Sequence, residues 1–163
     1  MAAPTDLRSN GDNVIVISRV IDAPRELVFE AFTDPKHLVQ FWGPKGFSAP
    51  ACEVDLRVGG AFRVDMRAPD GSMYPCTGTY REIVPPERLV YAGKASDDHP
   101  CGGGLPPHSV VTMTFEAHGA GTKVTIHTRL ASAADREAAI AGGFHSGWTE
   151  CLDRLADVLA RAH

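Results

Sequence analysis

The chain has 163 residues, 44% of them hydrophobic and 22% charged, values that suit one globular domain with a full-sized core. Lys and Arg number 16 against 20 Asp and Glu, a formal charge of -4, which speaks against a nucleic-acid or anionic-membrane surface because either needs a basic patch. No apolar run approaches the roughly 20 residues of a membrane span.

Met1 to Gly11 lacks the charged-then-apolar order of a signal peptide, so the expectation is a cytoplasmic protein with reduced thiols. Residues 1–12 read as a disordered lead and 13–163 as a single domain. The four cysteines, Cys52, Cys76, Cys101 and Cys151, are far apart and show no pairing pattern.

In chain order, Val14-Ile15-Val16-Ile17 opens a β-branched strand through Ile21. Pro24 stands at a first helical position, and Leu27, Val28, Ala31 and Phe32 form the apolar stripe of the helix that follows. Asp34-Pro35 starts a second, short helix through Leu38. Phe41 to Phe47 is a loop broken by glycine and proline. Its three large aromatics are too apolar to stay wet, so it should pack inward.

From Cys52 the hydrophobic period becomes two. Cys52, Val54, Leu56 and Val58 alternate with polar residues, Gly59-Gly60 turns the chain, and Phe62, Val64 and Met66 alternate in return. Asp70-Gly71 is the next turn, followed by strands over Met73 to Ile83 and Arg88 to Lys94 on either side of Pro85-Pro86. Ala95 to Pro107 is a Gly/Pro-rich loop. Val110 to Ala117 and Thr122 to Leu130 form a last hairpin about Gly119-Ala120-Gly121.

Ser132 to Arg161 then reads as one long helix. Ile140, Phe144, Trp148, Leu152, Leu155 and Leu159 share a face, Ser132 with Asp135 makes a cap-like start, and Glu150–Arg154 and Asp157–Arg161 are i,i+4 pairs on the outside. Gly142-Gly143 interrupts it, so the helix either kinks there or begins properly at Phe144. Strands segregated from one long helix give an α+β fold: a curved antiparallel sheet of about seven strands closed by the C-terminal helix. A sheet of that width curls, and a curled sheet gripped by a helix tends to enclose a pocket.

Four phrases carry a resemblance. They are Phe41-Trp42-Gly43-Pro44 with Phe47; Asp55-Leu56-Arg57-Val58-Gly59-Gly60-Ala61-Phe62-Arg63; Gly78-Thr79-Tyr80-Arg81-Glu82-Ile83 leading to Pro85-Pro86-Glu87-Arg88-Leu89; and Gly147-Trp148 with Leu152 and Leu155. Together they resemble the activator of heat-shock protein 90 ATPase homologue-like family, over about Val14 to Leu159. That family falls in the superfamily of the steroidogenic-acute-regulatory-related lipid-transfer domains, the birch-pollen-allergen-like proteins and the polyketide cyclases. The resemblance implies a helix-grip: a seven-stranded antiparallel sheet wrapped on the C-terminal helix, with two short helices after the first strand and a deep apolar cavity. It does not carry heat-shock-protein activation to this chain, nor a catalytic motif, since the cyclases share none.

Trp42, Phe47, Met66, Cys76, Met113, Phe144, His145 and Trp148 are the candidate ligand-binding residues, able on this fold to line the cavity or its mouth. Singly, each apolar member is what any core contains. His145, three residues before Trp148, points toward the sheet and is the one candidate acid or base; Glu82 is a second whose strand parity is ambiguous. His99, Cys101 and His108 could ligate a metal but offer only three ligands in a loop, so no metal and no cofactor is expected. Glu53, Asp55 and Asp65 alternate away from the apolar face, and Gly102-Gly103-Gly104 does not lie between a strand and a helix as a phosphate loop would. The expected activity is binding of a small apolar or amphipathic molecule. Alternatives are a polyketide cyclase or dehydratase-like enzyme in the same cavity, or a co-chaperone-type interaction module; a homodimer is left open.

Overall fold

A computed structural model describes residues 6–8, 13–42, 46–93, 109–141 and 144–162, without the side chains of 6–8, 74–76, 93, 144, 161 and 162. The Ala95–Pro107 loop with His99 and Cys101, His108, the Gly142-Gly143 pair, and the side chains of Cys76 and Phe144 therefore lie outside the described residues.

Eight antiparallel strands form one sheet: β1 (Asp6–Arg8), β2 (Val14–Ile21), β3 (Ser48–Val54), β4 (Ala61–Arg67), β5 (Met73–Val84), β6 (Arg88–Gly93), β7 (Val110–His118) and β8 (Gly121–Arg129). Their order is β1-β2-β8-β7-β6-β5-β4-β3. Helices α1 (Arg25–Thr33) and α2 (Pro35–Phe41) follow β2, and α3 (Ala133–Ala141) and α4 (Phe144–Ala162) close the chain. The fold is α+β, with strands β2 to β8 as the curled seven-stranded sheet and α4 as its long C-terminal helix.

Near the N-terminus Asp6, Leu7 and Arg8 pair with Ser18, Ile17 and Val16. Without them β2 would be an edge strand with an open ladder, and β1 covers that edge.

Side-chain alternation sets the inner face. On β2 it is Ile15, Ile17, Arg19 and Ile21; the three isoleucines are fully buried. Arg19 is the one charge on that face, and its guanidinium is met by the Asp153 carboxylate of α4. On β4 it is Phe62, Val64 and Met66, as the period-two pattern requires. The preceding strand is shorter than that pattern suggests. It ends at Val54, and Leu56 and Val58 are 44% and 65% exposed. The reason is local: Gly59 takes a left-handed φ of 87°, and Gly60 packs so closely on the Asp55 carbonyl that a side chain would not fit. The amide of Gly59 donates to Tyr80 O at 2.8 Å and Tyr80 N donates to Gly60 O at 2.9 Å, so the segment is a broad turn laid on β5.

The short helices start as read. The Asp34 side chain caps α2 by accepting from Lys36 N at 2.9 Å, and α2 runs on to Phe41, three residues beyond the expected end at Leu38. The C-terminal element is two helices. Ser132 Oγ accepts from Asp135 N at 3.1 Å, the expected cap of α3, and Arg136 Nε donates to Val14 O at 2.8 Å. No residue of α3 is buried. The closing helix is chiefly α4, whose Trp148, Cys151, Leu152, Leu155, Val158 and Leu159 are buried against α1, α2 and β2, while α3 adds only half-buried Ala139 and Ile140.

Candidate functional site

Between sheet and helices a connected group of aromatic rings packs within the core. Phe62 of β4 is central. Its ring lies on Gly78 of β5, its register partner, where an added Cβ would come within 2.6 Å of Phe62 Cε2. Phe62 meets Tyr91 at 5.0 Å and Tyr80 at 5.3 Å between centroids, and Trp42 at 6.5 Å. Trp42, just past the end of α2, is in turn edge-on to Trp148 of α4 at 5.7 Å, with an interplanar angle of 77°. Trp42 therefore links the sheet-side rings to the closing helix. Arg154 of α4 steadies it by donating from Nη1 to Trp42 O at 3.3 Å.

A cavity lies against these rings. Its walls are Phe32 and Leu38 of the short helices, Trp42, Phe62 and Val64, Tyr80, Leu89 and Tyr91, and Met113. None carries a charge. The free volume is about 10 Å³, room for about one water molecule. The deep cavity implied by resemblance is thus, among the described residues, an almost closed hollow, and its helical wall comes from α1, α2 and Trp42 rather than from the α4 stripe. A wider groove of about 390 Å³, with Arg25, Glu87, Arg88 and Glu116 among its walls, opens on the surface. Its charges of both signs do not suit an apolar ligand.

Of the sequence candidates, Trp42 and Met113 line the cavity, and Trp148 packs behind Trp42. Met66 is buried in the core outside the lining, and Phe47 is half-buried at the core margin. His145 is half-buried, with Nε2 enclosed. The candidates Cys76 and Phe144 belong to side chains that are not described. The sequence reading missed Phe32, Leu38, Phe62, Val64, Tyr80, Leu89 and Tyr91 as wall residues. The signal was present for Phe62 and Val64, which alternate in step with Met66, and for Leu89 and Tyr91 one strand further on.

Glu82 is settled as a surface group. A bulge between Tyr80 and Glu82 reverses the parity of β5, so Tyr80 faces inward and Glu82 outward, where it pairs with Arg88 Nε at 2.5 Å. Burial holds two titratable groups, Tyr80 and Cys52, in the neutral form. Burial, reinforced by the Cys52 thiolate, raises the Tyr80 hydroxyl well above the usual phenol range. Burial first, then Asp34, Asp65 and Glu53, pushes the Cys52 thiol up to about 11. The Tyr91 hydroxyl donates to Met113 Sδ at 3.7 Å.

Three buried nitrogens, Trp42 Nε1, Trp148 Nε1 and His145 Nε2, find no hydrogen-bond partner among the described residues. On the outer side, Glu30, Asp34 and His37 bring one ligand atom each within 4.8 Å of one another. His37 Nε2 already sits 3.2 Å from Glu30 Oε1, and Asp34 is engaged as the α2 cap, so their mutual contacts account for the cluster.

A family model described as Activator of Hsp90 ATPase homolog 1-like protein matches residues 22–160. Among solved structures, the chain is similar to a protein of Chromobacterium violaceum, at 31% identity over 91% of this chain and 97% of that one, with a TM-score of 0.73. It is similar to a protein of Mycobacterium smegmatis at 25% identity, covering 98% of this chain and 100% of the other, TM-score 0.84. A third, from Nitrosomonas europaea, is 25% identical over 94% of this chain and 98% of its own, TM-score 0.82. No curated protein matches the sequence.

Proposed function

Because the chain belongs to the Activator of Hsp90 ATPase homolog 1-like family, we propose that it binds a small apolar or amphipathic molecule between the sheet and the helices. The observation that carries this reading is the uncharged hollow walled by Phe32, Leu38, Trp42, Phe62, Val64, Tyr80, Leu89, Tyr91 and Met113. Sites for small ligands are apolar concavities with a few placed polar groups, and this hollow has that make-up in a closed form.

The closed form sets an energetic condition. A ring-sized ligand burying about 250 Å² gains roughly 6 kcal/mol from leaving water. To admit it, Trp42 must part from Phe41, Phe62 and Trp148, at a cost of about 2–4 kcal/mol for three ring pairs. The surplus of roughly 2–4 kcal/mol corresponds to millimolar affinity or weaker. Tighter binding has to come from polar contacts.

The cyclase reading is less well supported. It needs an acid or base inside the cavity with a partner that tunes it, and no wall residue is a carboxylate or histidine. Glu82 is turned outward, and His145 lies outside the described lining. A cytoplasmic setting belongs to the same proposal and is supported by Cys52, whose thiol forms no disulfide among the described residues.

A fluorescence titration with 6-propionyl-2-dimethylaminonaphthalene, a neutral polarity-sensitive ketone, tests the proposal. Saturable uptake of one probe per chain, with a blue-shifted emission and without denaturant, is expected. Emission unchanged from buffer up to the solubility of the probe would remove the binding reading.

A further inference from the structure

The two indole N–H groups identify what kind of ligand fits. The full chain has two tryptophans, Trp42 and Trp148. Both are buried, at 3% and 0% exposure, and touch edge to face. An indole nitrogen is a donor only, and neither Nε1 meets an acceptor among the described residues. Buried donors are ordinarily paired, because leaving one unmade forfeits its hydration without return.

Resting on the binding reading above, we infer that the ligand brings an uncharged oxygen acceptor, a ketone, ester or lactone carbonyl, to the indole N–H groups of Trp42 and Trp148. The choice of a neutral oxygen over a carboxylate follows from the walls. No Lys or Arg lines the cavity, and a buried anion without a cation is strongly disfavoured. A carbonyl oxygen has two lone pairs, enough for two donors, and the two indoles are neighbours, 5.7 Å between ring centroids. Trp42 is at the cavity wall and Trp148 packs directly behind it. His145 Nε2, one turn before Trp148, is a third enclosed nitrogen on the same side. Its ring nitrogens can donate or accept, so it can meet a second oxygen or hydroxyl.

The test compares three probes of similar size on the intact protein: acetophenone, ethylbenzene and benzoate. Binding is followed by nitrogen-15 NMR of the two indole N–H resonances and by loss of free probe. Acetophenone is expected to bind about tenfold more tightly than ethylbenzene for each N–H satisfied, and to move at least one indole proton downfield where ethylbenzene does not. In Trp148→Phe, or in Trp42→Phe should the first fail to fold, the ratio of ketone to hydrocarbon affinity should fall toward one. Equal binding of acetophenone and ethylbenzene with matching indole shifts overturns the carbonyl assignment and leaves the binding reading standing. Benzoate binding more tightly than acetophenone overturns the neutral-oxygen assignment. No binding of any probe overturns both.

Discussion

Replacing Trp148 with alanine separates a packing role from a wall role. Trp148 is fully buried, faces the sheet with Leu152 and Leu155, and stacks edge-on against Trp42. Removing the indole leaves a void on the order of 100 Å³, which at ~24 cal/mol per Å³ costs about 2.4 kcal/mol. The lost transfer energy of the ring adds roughly 2 kcal/mol. Against this, the variant no longer buries an unpartnered donor, which returns about 1 kcal/mol. The net expectation is a loss of about 3–4 kcal/mol, a large part of the 5–15 kcal/mol available to a typical domain. Urea unfolding followed by far-ultraviolet circular dichroism measures it without relying on tryptophan emission. A loss below about 1.5 kcal/mol with an unchanged urea dependence would refute the reasoning, because that is too little for a filled site.

The remaining predictions concern the same interior. Gly78→Ala should destabilise by about 1–3 kcal/mol and reduce ketone-probe uptake, since the new methyl drives the Phe62 ring toward the cavity; unfolding and titration curves matching the parent would contradict this. In a double-mutant cycle, Arg19→Ala and Asp153→Ala should couple by about 1 kcal/mol, because that pair ties β2 to α4; strict additivity would show that the tie contributes nothing. Cys52, with its thiol at about 11, should react with iodoacetamide at pH 8 roughly two orders of magnitude more slowly than an open cysteine. Alkylation needs the thiolate, so the rate should climb as pH rises toward 11; peptide-mapped labelling as fast as free cysteine at pH 8 would show the thiol to be unshielded.

Much of this architecture was legible because periodicity reports burial directly. The stripe of Trp148, Leu152, Leu155 and Leu159 identified the gripping helix, and Phe62, Val64 and Met66 identified the inner face of β4. Where the pattern outran the structure, a neighbour intervened. Leu56 and Val58 keep the alternation, yet the chain has already left the sheet at Val54, since Gly59 and Gly60 dock on Tyr80 rather than closing a tight hairpin. The strand at Asp6–Arg8 has no hydrophobic signature of its own and exists because β2 offers an edge.

The candidate site was legible only in part, for a different reason. Trp42 and Met113 were foreseeable as apolar residues placed inward, and both line the hollow. Its size was not, because volume depends on which ring lies on which neighbour. Gly78 is an unmarked glycine in sequence, but it lets Phe62 lie flat on the sheet beside Trp42, Tyr80 and Tyr91. The parity of Glu82 likewise hangs on one bulge in β5 that no local pattern announces.

The location of the ligand is tested most directly at the methionine methyls. Met113 lines the hollow, whereas Met73 is on the surface at 45% exposure and serves as the internal reference. In a carbon-13 methyl NMR titration with acetophenone, the Met113 methyl should shift and saturate in step with the bound fraction while the Met73 methyl stays still. Saturable binding that moves Met73 and leaves Met113 in place would put the ligand on the surface and contradict the account.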